Sequence, residues 1–492
     1  MRFLTCLTMA LSLVSMSALP ASSQTELLSP EIVRRDIASL YDGLEQAHFD
    51  LFAHRDRPAY AAYRDTLIAE VDEPLSKLDA AILFQRLAAY GRIGHARVDA
   101  PIQMFVQELM AGGALVPLFV RVDSEHVLLT ATADMEGRFR AGDELLALNG
   151  RPAAEWLERL SSYVSADTPD MGHAQMEESF PILLAFELGH VDAVEVTIRK
   201  SDGRLVEGVV PAVTLATRDE INAAFPTPAF DTDFGSRAFE ILPDGIGYLR
   251  PGPFVEIDSV TKTDAPNYDT TNFSTFIDDA FRRLIAAGTE DLIIDLRNNP
   301  GGDNSFSDPM VAWFADRPFR FASRFLLRAS PQTKAAYRRQ SEEMDRDSVL
   351  AALSAAEAEQ TDGARYPYPL PWNAPRLEPR FHGRIHVLIN RHSYSNAASV
   401  AAMIQDYDFG ELVGEATTDR ATTYASVQTF DLPATGITVT YPKSRIIRPN
   451  GDETLAGVRP DHSVPREPIG TAVDVVLQQA VGHVLASRPS PS

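Results

Sequence analysis

Apolar residues recur at helical spacing three times between residues 30 and 91. Ser29-Pro30 supplies a cap residue and a proline at the first helical position, after which Ile32, Val33, Ile37, Leu40, Tyr41 and Leu44 fall on one side. A second helix is predicted over about 58–71. A third starts from Ser76, with Asp79 in its first turn and Leu78, Ile82 and Leu83 inward, and stops at Gly91. From Ala114 the period shortens to two, and LVPLFVRV, HVLLTATA, DELLALNG, VEVTIRK and EGVVPAV read as short strands joined by Gly and Asp turns. From Ser236 the pattern alternates: a helix over about 274–287, the strand DLIIDL at 291–296, the strand IHVLIN, an Ala-rich helix, then strands near ELVG, ASVQTFDL and GITVTY. Apolar, β-branched strands alternating with helices predict an α/β core with largely parallel pairing. Two charged helical stretches and YPYPLPWNAP interrupt it over 318–380, an insertion that reads either as a lid or as a plain surface excursion.

The 492 residues exceed one ordinary core, so separate units are expected at 24–98 (helical), 112–215 (β-rich) and 236–485 (α/β). Residues 1–23 read as a secretory signal peptide, with Arg2, an apolar run to about Met16 and small residues at Ala21 and Ser23. That run is too short for a membrane span, and a periplasmic or secreted protein is expected. The single cysteine, Cys6, lies in this segment, which excludes disulfides, a thiol nucleophile and thiolate ligands from the mature chain. A formal charge of −23 argues against non-specific binding to nucleic acid or anionic lipid.

The densest chemistry lies in FHGRIHVLINRHSYSNAASVAAMIQDY, at 381–407, where a strand passes through a polar turn into a helix. Ser395 sits at that turn beside the free N–H groups of the helix, a place suited to a nucleophile and equally to an N-cap. Asn298-Asn299-Pro300-Gly301-Gly302 follows DLIIDL directly, and its glycines allow either a simple turn or an N–H cradle for an oxyanion. His382, His386 and His392 do not read as a metal site, since on a strand the first two lie about 13 Å apart. No metal and no cofactor are expected.

DLIIDLRNNPGG, the S-Y-S-N-A-A turn, LVGEAT and GVRPD resemble, in this order, the core of the tail-specific or C-terminal processing peptidases and the tricorn-type serine peptidases. Gly142-Asp143, a strand and Asn149-Gly150 ahead of them resemble a PDZ domain. The resemblance implies a crotonase-like (ClpP-like) α/β catalytic core preceded by a helical N-terminal domain and a PDZ-like module that docks peptides along a strand edge. It places the nucleophile on Ser395, makes Ser393 a turn residue, and puts the oxyanion donors on Gly301 or Gly302 and on Asn396. The lysine of the dyad-type members has no counterpart, because GEATTDRATTYASVQ holds only Arg420, which cannot act as a base, and Lys443 lies outside the motif. The tricorn-type pattern instead implies His95, in GRIGHARVDA, as base, and Glu453 or Asp452 as third member, with Glu453 preferred. Ala398 stands where many members carry an acid. An exported serine endopeptidase acting on peptides or protein tails is the expectation. The alternatives are a non-catalytic protein binding peptide or apolar ligand on the same fold, and a hydrolase of non-peptide esters or amides.

Overall fold

The computed structural model describes residues 27–124, 126–132, 137–224, 235–257, 268–340 and 349–488. The expected signal peptide lies outside them. Helices α1 (Pro30–Ala47), α2 (Arg57–Glu70) and α3 (Lys77–Tyr90) form where the apolar spacing predicts them. Ser76 caps α3 by accepting the Asp79 N–H at 3.0 Å, whereas Ser29 makes no side-chain cap. A fourth helix, α4 (Ala100–Met110), was not legible in the pattern, because Asp99 forms no capping bond and Pro101 reads as a break.

An antiparallel sheet follows, with β1 (Leu118–Asp123), β2 (His126–Thr132), β3 (Glu144–Leu148), β4 (Ala193–Arg199) and β5 (Leu205–Pro211) paired in that order. Alternation along β1 buries Leu118, Val120 and Val122, as period two requires. Between β3 and β4 lie α5 (Ala153–Leu160) and α6 (Pro169–Leu188), and the purely strand-and-turn reading passes over α6. Its second half is apolar on most sides and contains Pro181, which hides the helical period. Phe180, Leu183 and Leu184 there pack into the core of this sheet.

The third region runs β6 (Ala238–Ile241), β7 (Ile246–Arg250), α7 (Thr271–Ala286), β8 (Asp291–Asp295), α8 (Asn304–Ala312), β9 (Arg324–Arg328), α9 (Pro331–Gln340), α10 (Val349–Ala358) and β10 (Arg365–Pro367). It continues with β11 (Arg384–Ile389), α11 (Asn396–Asp406), β12 (Glu411–Gly414), β13 (Thr423–Asp431), β14 (Thr438–Ile447), β15 (His462–Ser463) and α12 (Val475–Ala486). Six strands form a sheet in the order β15-β12-β11-β8-β7-β6, parallel throughout except for the edge pair β6–β7. Every residue of β8 is buried, because helices cover both faces. Phe273, Ile277, Met310 and Val400 of α7, α8 and α11 pack on Leu292 and Ile294, while Val476, Ala480 and Val484 of α12 pack on Ile293 and Leu388.

A second sheet, β10-β9-β14-β13, is antiparallel. Two of its strands come from the 318–380 segment and two from 423–447, so that segment is woven into the fold. The same sheet receives the N-terminal helices. Leu40, Leu44 and Phe84 share one core with Leu432, Val439 and Tyr441, and the buried Asp36 carboxylate accepts the Ala434 and Thr435 N–H groups at 3.1 and 2.8 Å. Just past α3, Arg97 and Thr440 exchange backbone hydrogen bonds at 3.0 and 2.9 Å. This pairing fixes the residues around His95 against the α/β region.

Candidate active site

Strand β11 ends at Ile389 and the chain turns through 390–395 into α11. Ser393 holds the turn, its hydroxyl donating to the Leu296 carbonyl at 2.7 Å while accepting the Asn390 N–H at 3.1 Å. Ser395 stands at the N-cap position with φ 54° and ψ −121°, and its side chain makes no capping bond. A non-glycine residue held there costs of order 1–3 kcal/mol, so the surroundings must impose it. They do so through Asp419, whose carboxylate accepts the Ser395 N–H at 2.6 Å, and through Asn299, whose carbonyl accepts the Tyr394 N–H at 2.9 Å.

The Ser395 hydroxyl lies 3.2 Å from Nε2 of His95, across 300 positions of sequence. Tyr394 secures the imidazole: its ring stacks on His95 with centroids 5.0 Å apart, and its hydroxyl donates to the Gly94 carbonyl at 3.1 Å. Burial, followed by the charge of Arg97, lowers the His95 pKa to about 4, and Asp167 opposes this by raising it. The imidazole is thus neutral at neutral pH, and Nε2 can accept the serine proton once Nδ1 carries the ring hydrogen. The sign follows directly, since protonation removes the base. kcat/KM is expected to fall on acidification with its midpoint near pH 4, and a midpoint near 6.5 in a pH–rate profile would contradict this setting of His95.

Glu453 is not brought to this histidine. Its carboxylate pairs with Arg324 and, at 2.7 Å, with Arg445, on the adjoining strands β9 and β14, and it remains 42% exposed. Asp452 closes a local turn by accepting the Thr454 N–H at 2.9 Å. His95 Nδ1 is buried without a hydrogen-bond partner among the described residues. The carboxylate whose charge reaches the ring is Asp167, which precedes α6 and carries no local signal that marks it out. Its Oδ2 accepts the Gly94 N–H at 2.8 Å, while Oδ1 lies 3.6 Å from both His54 Nε2 and Arg420 Nη1. Those partners depress its pKa against the opposing effect of burial. Asp419 goes the other way. Burial, then the neighbouring Asp167 charge, pushes it up to about 7.

Gly301 has φ 88°, and a Cβ there would stand 2.6 Å from the Asn396 nitrogen and the Tyr394 carbonyl and 2.8 Å from the Ser395 Cβ. Only glycine lets the loop approach the serine this closely. The Gly301 N–H is donated to Asn299 Oδ1 at 2.8 Å. Of the two glycines, Gly302 is therefore the one whose N–H has no acceptor among the described residues. Asn396 opens α11, so its N–H has no acceptor within the helix, and its side chain is fixed by the Ser307 hydroxyl at 2.9 Å. Lys443 is buried and donates to the Ser426 hydroxyl at 2.9 Å and the Ser426 carbonyl at 3.2 Å. That placement engages it with a serine other than Ser395. Arg420, the cation of the GEAT segment, instead donates to the Asp167 carbonyl at 3.0 Å.

A half-buried serine in strained backbone, a neutral histidine at its hydroxyl and a glycine loop against it are the parts of a serine hydrolase site. Residues 246–464 match the model of peptidase family S41. The matched segment contains Ser395, and the chain is a serine-type peptidase acting on a peptide or protein. No curated protein matches the chain. Among solved structures, mature CPAF is similar in fold, with a TM-score of 0.60 at 18% identity, covering 92% of this chain and 96% of that one. Mature CPAF complexed with lactacystin gives 0.60 at 18% identity, covering 93% and 98%. A CPAF mutant gives 0.60 at 16% identity, covering 94% and 99%. At these identities the likeness is one of fold, a mixed α/β architecture shared over nearly the whole length.

Proposed function

We propose that the chain is an exported endopeptidase that cleaves peptides or unfolded protein tails through an acyl-enzyme on Ser395. The observation that carries this reading is the 3.2 Å contact between His95 Nε2 and a Ser395 hydroxyl presented in strained backbone without a capping role. Ser395 Oγ attacks the scissile carbonyl, His95 takes its proton and returns it to the leaving amine, and water then repeats the cycle on the acyl-enzyme. The N–H groups of Gly302 and Asn396 hold the oxyanion, with Gly301 packed beneath. Asp167, in place of the expected Glu453, is the group that favours the imidazolium formed during attack.

A non-catalytic binding role is disfavoured by the same geometry, since a ligand-binding fold has no need of a strained serine against a buried neutral histidine. We take the 112–215 segment as PDZ-like and the α/β region as ClpP-like. The edge strand β5, which exposes Leu205 and Val209, is then a place for an extended peptide to add as a further strand. Export rests on the character of residues 1–23, and no described helix is long and apolar enough to cross a membrane. The reading is tested by hydrolysis of an unfolded protein substrate, with fragments followed by mass spectrometry. Cleavage by the native chain and none by Ser395→Ala supports it; equal cleavage by both would refute it.

A further inference from the structure

Ser395 follows the C-terminal end of β11, and a second concentration of chemistry lies at the N-terminal ends of β11 and β12. Glu411, the first residue of β12, turns one carboxylate oxygen towards three imidazoles. Oε2 is 3.3 Å from His483 Nε2 on α12, 3.5 Å from His462 Nε2 on β15, and 3.6 Å from His386 Nδ1 on β11. The ligand atoms of Glu411, His462 and His483 all lie within 4.8 Å of one another, and the rings of His462 and His483 have centroids 3.8 Å apart. For a tetrahedral ion with metal–ligand bonds of about 2.0–2.1 Å, the distance between neighbouring ligand atoms is about 3.4 Å. The three distances measured from Oε2 lie close to that edge, while the mutual 4.8 Å set holds Glu411, His462 and His483 and leaves His386 outside it.

His386 is an independent pointer. It is 2% exposed, yet neither ring nitrogen has a hydrogen-bond partner among the described residues. A buried imidazole in that condition has its desolvation offset only by the longer-range attraction of nearby carboxylates. Nδ1 faces Glu411, and Nε2 faces the buried Asp291 carboxylate at 3.5 Å. A carboxylate behind a histidine is the usual arrangement for fixing the ring and tautomer of a metal ligand. His382 and His392, the residues grouped with His386 in the sequence, go elsewhere: His382 pairs with Glu378 at 2.9 Å, and His392 lies 3.1 Å from Glu177 and from Glu178.

We propose that His462, His483 and Glu411 bind a zinc-class divalent transition-metal ion that ties helix α12 to the sheet, with the neighbouring His386 Nδ1 drawn in on binding. Three imidazoles and one carboxylate suit zinc, whereas calcium and magnesium require mostly oxygen ligands. The set lies at the opposite strand ends from Ser395, so the ion has a structural role and not one in peptide hydrolysis. It joins β11, β12, β15 and α12, which are brought together only in the folded chain, and binding therefore stabilises the fold.

The test is calorimetric titration of tag-free, chelator-stripped protein with zinc chloride, alongside thermal unfolding. One ion per chain and a Tm that rises with zinc concentration are expected. His462→Ala/His483→Ala, at partly exposed positions, removes both, as does the isosteric Glu411→Gln. Ser395→Ala and His95→Ala retain both, while the His462/His483 variant still hydrolyses peptide. Absence of stoichiometric binding in the native chain, undiminished binding in the double variant, or loss of binding in His95→Ala would each overturn the proposal.

Discussion

Replacing Ser395 by alanine lowers kcat for peptide hydrolysis by about 10⁶-fold, the scale seen when a nucleophile is removed from an assembled serine-hydrolase site. It leaves the thermal stability nearly unchanged. The second half of that expectation is the discriminating one. A serine at a helix N-terminus ordinarily caps it, and its loss costs about 1 kcal/mol. Here the Ser395 side chain makes no capping bond, and its hydroxyl faces His95 Nε2 at 3.2 Å. Alanine therefore removes the nucleophile and nothing that holds the helix. A large drop in Tm together with residual hydrolysis would return Ser395 to the role of a cap. Steady-state kinetics and calorimetry on the same preparation separate the two.

The second large effect is expected at Asp167, where asparagine keeps an acceptor for the Gly94 N–H but deletes the charge. kcat falls by between about 10² and 10⁴-fold with KM little altered, because the lost interaction favours the imidazolium that forms only during attack. The pH profile moves in a defined direction. Asp167 raises the His95 pKa against burial and Arg97, so without it the acid limb shifts below the native midpoint. Asp419 loses the neighbouring charge that raises its own pKa and ionises at lower pH as well. A merely structural role for Asp167 would lower Tm and leave the acid limb in place, and Asp167→Glu should recover part of kcat. The matching substitution Glu453→Gln is expected to leave kcat within about twofold, since its partners are surface arginines whose pairs contribute roughly 0–1 kcal/mol.

The sequence announces those parts of the site that are local. A strand entering a tight turn, a helix beginning at Asn396 and a glycine pair after a buried strand are spelled out by neighbouring residues, and each forms where the pattern puts it. The three N-terminal helices are legible for the same reason. Parts that depend on tertiary pairing are not. Asp167 stands in an ordinary helix-start sequence, and only the docking of α6 near Gly94 makes its carboxylate relevant. Asp419 lies among threonines in the GEATTDRATTYASVQ stretch, and nothing in that composition signals a bond to the Ser395 N–H. Position in the motif points to Glu453, but Arg324 and Arg445 on two paired strands hold it at the surface. The histidines at 386, 462 and 483 meet through the strand order β15-β12-β11, which no spacing along the chain reveals.

The account stands on Ser395 being a nucleophile activated by His95, and covalent labelling of the purified chain with a fluorophosphonate reads this directly. Stoichiometric label on the peptide containing Ser395, absent in Ser395→Ala and lost in a folded His95→Ala variant, is the predicted result. A folded, monodisperse native chain that takes no label, or a His95→Ala variant that labels as fast as the native chain, would contradict it.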